Sequence, residues 1–298
     1  MKTYKVICPL YNFQISNVLY GPHKLSPEEV TNLFEAREKE LVEGIEVFEG
    51  VKVRRVSKED LDIIKSSFFP LPPDTKVSPG MFVLEKYITT EDDRQYQLDT
   101  TMRNIVLAMR LLKKGYISGS CVFYIPTSEK VNTLPFTAIE WSWEEGRKLE
   151  TWGLKYALNF DDIANLKTLV EKIQSIDFAR RKSLHLACKR FQRAYEEVDF
   201  EDQLIDFMIA FEALFLKGEK DRSPHGKIIS VACSCLLGKN EEESEEIEHF
   251  LAEAYSIRNS IVHGSECKKP TVEREYEMSE FVSKIEDYLR VSIKKLLD

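Results

Sequence analysis

Three polar side chains with complementary chemistry lie within six positions near the C-terminal end of the chain. They are Arg258, Asn259 and His263, in a segment that is otherwise largely apolar. Histidine titrates near neutral pH and can transfer a proton. Arginine presents a permanently charged fork to phosphate oxygens, and asparagine can hold an orientation by hydrogen bonding. Together, these groups suit chemistry at a phosphodiester.

The spacing of this segment predicts a helix that carries the polar groups on one side. At about 100° per residue, Tyr255, Asn259 and His263 fall four residues apart and share one stripe. Gly264 favours a helix end, which places His263 in the last turn. A buried guanidinium or imidazole is costly unless it is paired or used, which favours a functional role. The alternative is that His263 complements the helix dipole and Arg258 lies at a solvated edge.

Four stretches in the C-terminal half resemble the Apea-like branch of the HEPN superfamily, a family of small helical bundles. Arg258–His263 is similar to the Arg-x4-His motif of that family, and it ends in Ile-Val-His-Gly. Leu204–Phe215 resembles the helix of that branch in which a hydrophobic residue precedes Glu-Ala-Leu. Gly226–Ala232 and Leu236–Gly238 follow in the expected order. The six-residue motif alone is weakly specific, and the order of the four blocks carries the resemblance.

The resemblance implies an all-α, HEPN-like helical bundle and a metal-independent endoribonuclease that works as a homodimer. It gives His263 the proton transfer that lets a ribose 2′-hydroxyl attack the adjacent phosphate. It gives Arg258 the stabilisation of charge on the phosphoryl oxygens, and Asn259 the positioning of the phosphate or the imidazole. The products would be a 2′,3′-cyclic phosphate and a 5′-hydroxyl. This chemistry needs neither a metal nor another cofactor.

Two further side chains are candidates for a supporting role. Glu212 lies in an apolar predicted helix and could orient the motif arginine. A buried ion pair that sets the register of two helices is an equal alternative for this glutamate. Tyr255 lies on the motif stripe, although a tyrosine there is also typical of a core aromatic with a solvated hydroxyl.

The most basic stretch of the chain is a predicted helix over residues 178–198. Cations on this helix would steer RNA towards the protein through their long-range field. Because the charges spread over more than one face, a solvated surface helix is the alternative. The RNA-steering candidates are Arg181, Lys182, Lys189, Arg190 and Arg193.

Composition limits the kinds of nucleic-acid binding that the chain can support. The 298 residues carry a formal net charge of −8, and most of that excess lies after residue 159. This argues against binding long duplexes through a broad basic face, but it allows a small site for one or two phosphates. The sequence shows no membrane span, no signal peptide and no cysteine spacing typical of zinc sites. We therefore expect a reduced, cytoplasmic protein without a structural metal.

The hydrophobic periodicity changes character near residues 155–160. Residues 1–155 are predicted to form an α+β domain whose role is open, because it contains no glycine-rich phosphate loop, paired-histidine helix or nucleophile elbow. Residues 160–298 are predicted to form a bundle of antiparallel helices. An aromatic cluster near the change fits packing better than a base-stacking platform; it comprises Trp141, Trp143 and Trp152.

Individual elements follow from periodicity and from capping residues. Ser26–Glu29 is a capping box, and Pro9 is expected to end the first strand. The predicted strands cover residues 2–8, 47–56, 81–89, 120–125 and 137–143. The predicted helices cover residues 26–42, a short segment from 57, 94–114, 161–176, 178–198, 200–217, 227–237, 241 into the motif, and 272–297.

Three functional hypotheses remain from the sequence. The first is an RNA-cleaving toxin or phage-defence effector whose N-terminal half senses, restrains or selects a target, with a possible neutralising or regulatory protein. The second is a non-catalytic HEPN module that dimerises and binds a nucleotide or a protein partner, with the N-terminal half as sensor. The third is a sensor-regulator that uses the bundle only to dimerise.

Overall fold

The computed structural model describes two compact units, Met1–Gln174 and Ser175–Asp298. An antiparallel sheet with helices in the first unit is followed by helices in the second, which confirms the predicted α+β region before a helical region. The division falls after the boundary that we placed between residues 155 and 160. The helix that follows that boundary therefore belongs to the first unit. The described residues are 2–16, 26–66, 77–90, 100–119, 121–127, 136–139, 155–216, 224–264 and 271–297.

The first unit is built on a six-stranded antiparallel sheet of order β3-β4-β5-β1-β6-β7, beside a parallel pair of β2 and β8. The strands are β1 Lys2–Leu10, β2 Phe13–Ser16, β3 Ile45–Phe48, β4 Val51–Arg55, β5 Phe82–Thr90, β6 Cys121–Pro126, β7 Phe136–Ile139 and β8 Tyr156–Asn159. The helices are α1 Pro27–Glu43, α2 Lys58–Ser66, α3 Thr100–Leu112 and α4 Asp162–Ser175.

Two strand predictions in this unit were wrong in detail. The first strand continues past Pro9 to Leu10, because the pairing with β6 stops at Ile7 and Pro9 has only β5 beside it; proline is tolerated at such a position. The strand predicted over residues 47–56 is instead the hairpin of β3 and β4. Gly50 turns it with a φ of 69°, a left-handed conformation that glycine adopts without strain.

Capping residues set the helix starts. The Ser26 hydroxyl accepts a hydrogen bond from the Glu29 backbone N–H at 3.3 Å, and the Glu29 carboxylate accepts one from Ser26 at 2.7 Å, which confirms the predicted capping box. The helix predicted from residue 178 begins later, at Lys182. The Asp177 carboxylate accepts hydrogen bonds from the backbone of the next residues, forming a turn that competes with the helix. Residues 91–99 and 140–154, with the three tryptophans, lie outside the described ranges.

A buried charge cluster ties α2 to the face of the sheet. The fully buried Asp60 carboxylate accepts hydrogen bonds from Lys5 on β1 and Arg54 on β4, each at 2.7 Å. Arg54 also donates to Glu85 on β5 at 2.9 Å. Burial alone would raise the pKa of Asp60, but the bonds from Arg54 and Lys5 outweigh it and hold that pKa well below its usual range. Two strands thus share the Asp60 carboxylate of α2, and a third strand joins the cluster through Glu85 and Arg54.

The second unit is a bundle arranged around one apolar helix. Its helices are α5 Lys182–Ala194, α6 Phe200–Phe215, α7 His225–Leu237, α8 Glu241–Val262 and α9 Thr271–Leu297. Helix α6 packs against each of the other four, and its buried residues include Leu204, Phe207, Met208 and Phe211. A helix that is apolar on nearly all sides is stable in water only when it is enclosed. The enclosure of α6 therefore sets the positions of the surrounding helices.

Replacing Asp60 with asparagine should destabilise the first unit, because Lys5 and Arg54 would remain buried without their shared anion. We expect a loss of about 3–5 kcal/mol at pH 7 in urea unfolding. The folded-state pKa of Asp60 is lowered, so its stabilisation is present above the unfolded pKa of about 3.9 and declines as the pH falls below it. The difference between wild type and Asp60→Asn should therefore shrink at pH 3. The exposed Asp62→Asn on the same helix is the control, and an equal loss there would refute the cluster's role.

Candidate functional site

The motif segment forms the C-terminal end of α8. The helix ends at Val262, and His263 is the C-cap residue, whose backbone N–H donates to the Asn259 carbonyl at 3.0 Å. Gly264 has a φ of 66°, and its N–H donates to the Ile261 carbonyl at 3.1 Å. This left-handed glycine ends the helix as the sequence predicted. His263 therefore lies at the C-cap, one residue past the last residue of α8.

Arg258 is largely enclosed, with 18% of its side chain exposed. Its Nη1 donates to the Asn259 Oδ1 at 3.0 Å, and its Nη2 lies 3.5 Å from the Glu212 Oε2. The guanidinium carbon is 5.8 Å from the centre of the Tyr255 ring. Its Nε is buried without a hydrogen-bond partner in the described part of the chain. The guanidinium is thus held in place, while much of its donor capacity remains unused.

The Glu212 carboxylate of α6 divides its two oxygens between two partners on α8. The Oε1 accepts a hydrogen bond from the Tyr255 hydroxyl at 3.2 Å, and the Oε2 faces Arg258. Burial and the negative charge of Glu212 raise the pKa of Tyr255, so its hydroxyl keeps its proton. The structure therefore brings together Glu212, Tyr255, Arg258 and Asn259, all of which the sequence singled out.

Gly226, in the first turn of α7, lies against the ring of Tyr255. A Cβ built on Gly226 would lie 2.8 Å from the Tyr255 Cδ1 and 3.2 Å from its Cγ. These atoms belong to the inner part of the ring, which cannot swing aside as a flexible chain end would. Only glycine allows Tyr255 to approach α7 this closely. The sequence did not identify Gly226 as part of the site, since a glycine at a helix start is also a common turn residue.

The His263 side chain has a different environment from the other four. It is exposed, and within the described ranges its imidazole has no hydrogen-bond or ion-pair partner. The site thus combines a half-buried cation, oriented by a carboxylate and a phenol, with a solvent-facing imidazole at the end of the same helix. This arrangement can receive an anion from solution and leaves the imidazole free to exchange a proton.

The structure separates the RNA-steering candidates into two groups. Arg190 donates to Asp206 at 2.7 Å, and Arg193 contacts Glu197 at 3.2 Å and Asp206 at 3.4 Å. Arg181 donates to the carbonyl of Leu296 near the end of α9. These three arginines are engaged in contacts within the bundle, which the sequence did not predict. The remaining cations of the group are the exposed Lys182 and Lys189.

Two of the cysteines are unsuited to act as nucleophiles or metal ligands, because both functions need a thiolate. Cys188 and Cys233 are buried, and burial raises the pKa of the Cys188 thiol to about 12 and that of Cys233 to about 11. Both thiols therefore stay protonated at neutral pH. Across the ranges that the structure describes, no three His, Cys, Asp or Glu side chains are grouped in a way that would hold a metal ion.

Comparison of the chain with protein-family models, curated proteins and solved structures found no match. The resemblance to the HEPN superfamily thus rests on the four sequence blocks. Among the helices that the structure describes, we find none with the length and apolar character needed to cross a membrane.

Gly226→Ala should destabilise the second unit, because the added methyl group would push Tyr255 away from Glu212. Overpacking of this kind costs about 1–3 kcal/mol, measurable by urea unfolding. The same substitution in a Tyr255→Ala background should lose its cost, since the ring is gone and alanine has the higher helix propensity. A similar loss in both backgrounds would contradict the contact between Gly226 and the tyrosine ring.

Proposed function

We propose that the chain is a metal-independent endoribonuclease of the HEPN type. The observation that carries this proposal is the fixed Arg258 guanidinium, with unused donors, at the same helix end as the solvent-facing His263. The sequence resemblance to the HEPN superfamily is the second support for the proposal. An RNA-cleaving toxin or phage-defence effector is the corresponding biological role, with the N-terminal unit as sensor or restraint and a neutralising protein as a possible partner.

In the proposed reaction, His263 accepts the proton of a ribose 2′-hydroxyl. The 2′-oxygen then forms a bond to the adjacent phosphorus, and the bond from phosphorus to the 5′-oxygen breaks. The leaving 5′-oxygen takes up a proton, so that the products are a 2′,3′-cyclic phosphate and a 5′-hydroxyl. An exposed imidazole suits both proton steps, because it can reach a substrate from solution and has both a donor and an acceptor nitrogen.

Arg258 would stabilise the charge that develops on the phosphoryl oxygens. Its Nη2 lies 3.5 Å from Glu212, beyond the usual N–H···O distance of about 2.7–3.2 Å. The carboxylate therefore orients the guanidinium through charge without occupying its donors. Preorganised donors aimed at developing charge are worth about 2.7–4 kcal/mol each in known enzymes. Asn259, which accepts a hydrogen bond from Arg258, would keep the fork in its position.

The proposed homodimer would form at the end of α8. Val262 is 52% exposed, and the neighbouring Ile257 and Ile261 are partly buried. These apolar side chains border the motif, so a second copy of the chain could cover them and bring two motifs together. In that arrangement both histidines would serve one phosphodiester or two neighbouring ones.

The alternative is a non-catalytic module that dimerises and binds a nucleotide or a protein partner. The observation that favours it is the Glu212 carboxylate itself, which neutralises part of the Arg258 charge. The acidic balance of the chain, −8 overall, favours it as well. In this alternative the motif contributes a dimer contact, and the N-terminal unit carries the recognition.

Purified protein should cleave labelled RNA in EDTA and leave cyclic phosphate ends. His263→Ala and Arg258→Ala should each lower the rate by at least about 100-fold, the usual effect of losing a proton-transfer group or a charge-stabilising donor. The measurement is a time course with mapped 3′ ends. His249→Ala, which removes an exposed histidine from the same helix, is the matched control. Cleavage that persists in His263→Ala would rule out this assignment, and no cleavage in wild type would favour the binding module.

Replacing both Lys182 and Lys189 with alanine should weaken RNA binding and its dependence on salt. For each phosphate that a lysine no longer neutralises, the slope of log K against log salt should fall by about 0.7 for single strands. Fluorescence anisotropy with a labelled oligonucleotide, in the catalytically impaired His263→Ala protein, measures this slope. Lys58→Ala, an exposed lysine of the first unit, is the control. An unchanged slope in the double variant would show that these lysines do not steer RNA.

A further inference from the structure

We propose that Tyr255 is a positioning residue that restrains Glu212 and thereby leaves Arg258 free to bind a phosphodiester. The chemical purpose rests on the proposed ribonuclease function, while the restraint itself concerns only the three side chains. Without the tyrosine hydroxyl, Glu212 would pair fully with Arg258. The tyrosine hydroxyl therefore determines whether Arg258 forms a full ion pair with Glu212 or remains available to bind the phosphodiester.

The first argument is the unfinished pairing of Arg258 with Glu212. A guanidinium and a carboxylate at close range usually form two parallel N–H···O bonds of about 2.7–2.9 Å. Here the nearest approach is 3.5 Å, and one carboxylate oxygen is occupied by the Tyr255 hydroxyl at 3.2 Å. For comparison, Arg190 in the same bundle donates one close hydrogen bond to Asp206 at 2.7 Å, and the other Asp206 oxygen lies 3.4 Å from Arg193. Glu212 differs from Asp206 in that one of its oxygens is bonded to a neutral hydroxyl, and it is also more exposed, at 24% against 6%.

The second argument is that Tyr255 cannot follow the carboxylate if it moves. The Gly226 position lies against the inner part of the ring, so the aromatic side chain is supported by α7. Its hydroxyl also remains a donor, because burial and the charge of Glu212 raise the pKa of Tyr255. A fixed and protonated hydroxyl holds one side of the carboxylate at a set place. Glu212 can then reach Arg258 with its other oxygen only.

The third argument is the placement of the groups on three helices. Tyr255 and Arg258 are three residues apart on α8, a spacing that puts side chains on neighbouring parts of one helix face. Glu212 faces them from α6, and Gly226 supports them from α7. One Glu212 oxygen is held by Tyr255 and the other faces Arg258. Arg258 is therefore oriented by the carboxylate charge and can still direct its N–H donors towards a phosphate. A fully paired arginine would first have to break two charged hydrogen bonds.

The test is a double-mutant cycle in RNA cleavage with Tyr255→Phe and Glu212→Gln. Tyr255→Phe keeps the ring against Gly226 and removes only the hydroxyl. In the wild-type background it should lower kcat/KM about 10-fold, because the released carboxylate captures Arg258. In the Glu212→Gln background it should change kcat/KM by less than about 2-fold, since interacting residues are not additive. Equal losses in both backgrounds, or no loss in the wild-type background, would overturn the proposal.

A readout that does not need activity keeps this proposal separate from the proposed function. The buried Nε–H of Arg258 can be followed by nitrogen-15 NMR and assigned with Arg258→Lys. Its resonance should shift in Tyr255→Phe but not when the same change is made in Glu212→Gln. If wild type fails to cleave RNA and this pattern is still found, the ribonuclease assignment fails and the restraint stands. If the resonance does not respond to Tyr255→Phe, the restraint is refuted, whatever the activity.

Tyr288→Phe is the matched control for both measurements. Tyr288 is partly buried in the same unit, on α9, and its ring packs against Phe250 at 5.7 Å between ring centres. Removing its hydroxyl tests whether any half-buried tyrosine would give the same effect. It should leave kcat/KM and the Arg258 resonance unchanged. A loss as large as that of Tyr255→Phe would attribute the effect to general stability and overturn the positioning role.

Discussion

The second unit depends on the enclosure of α6, a helix that is apolar on nearly all its faces. Once four helices surround it, each polar group that it carries must be paired inside the bundle or lie near its surface. Beyond its first turn, helix α6 carries two carboxylates, Asp206 and Glu212. The arginines that meet them come from α5 and α8. The packing of one apolar helix therefore determines which cations belong to the fold and which belong to the candidate site.

The two carboxylates of α6 are paired in different ways. Asp206 is 6% exposed and accepts a close hydrogen bond from Arg190, as expected for a buried pair that must offset its desolvation. Glu212 is 24% exposed and has only a charge contact with Arg258. Water near Glu212 lowers the cost of leaving that pair incomplete. This position, at the edge of the enclosed region, is where a cation can be both oriented and accessible to a ligand.

The sequence predicted what depends on local rules and failed where distant elements decide. The capping box at Ser26 and the helix end at Gly264 follow from a few neighbouring residues, and both are present. The motif residues and Glu212 were singled out by residue type, spacing and family resemblance, and the structure brings Glu212 and Arg258 together. By contrast, Lys189 and Arg190 are adjacent basic residues that the sequence does not distinguish. Only the ion pair with Asp206 on α6 shows that Arg190 contacts the bundle. Gly226 likewise could not be identified from the sequence, because its importance depends on a tyrosine ring from another helix.

The net charge of the chain adds a constraint on how such a site would work. An acidic protein repels RNA at long range, so binding must come from a few local contacts rather than from a broad field. A phosphodiester that approaches α8 must also compete with Glu212 for Arg258. It can do so because a phosphate accepts two donors of the guanidinium at once, whereas Glu212 offers one oxygen at 3.5 Å. Weak pairing at Glu212 is therefore a condition that the proposed RNA cleavage places on an acidic bundle.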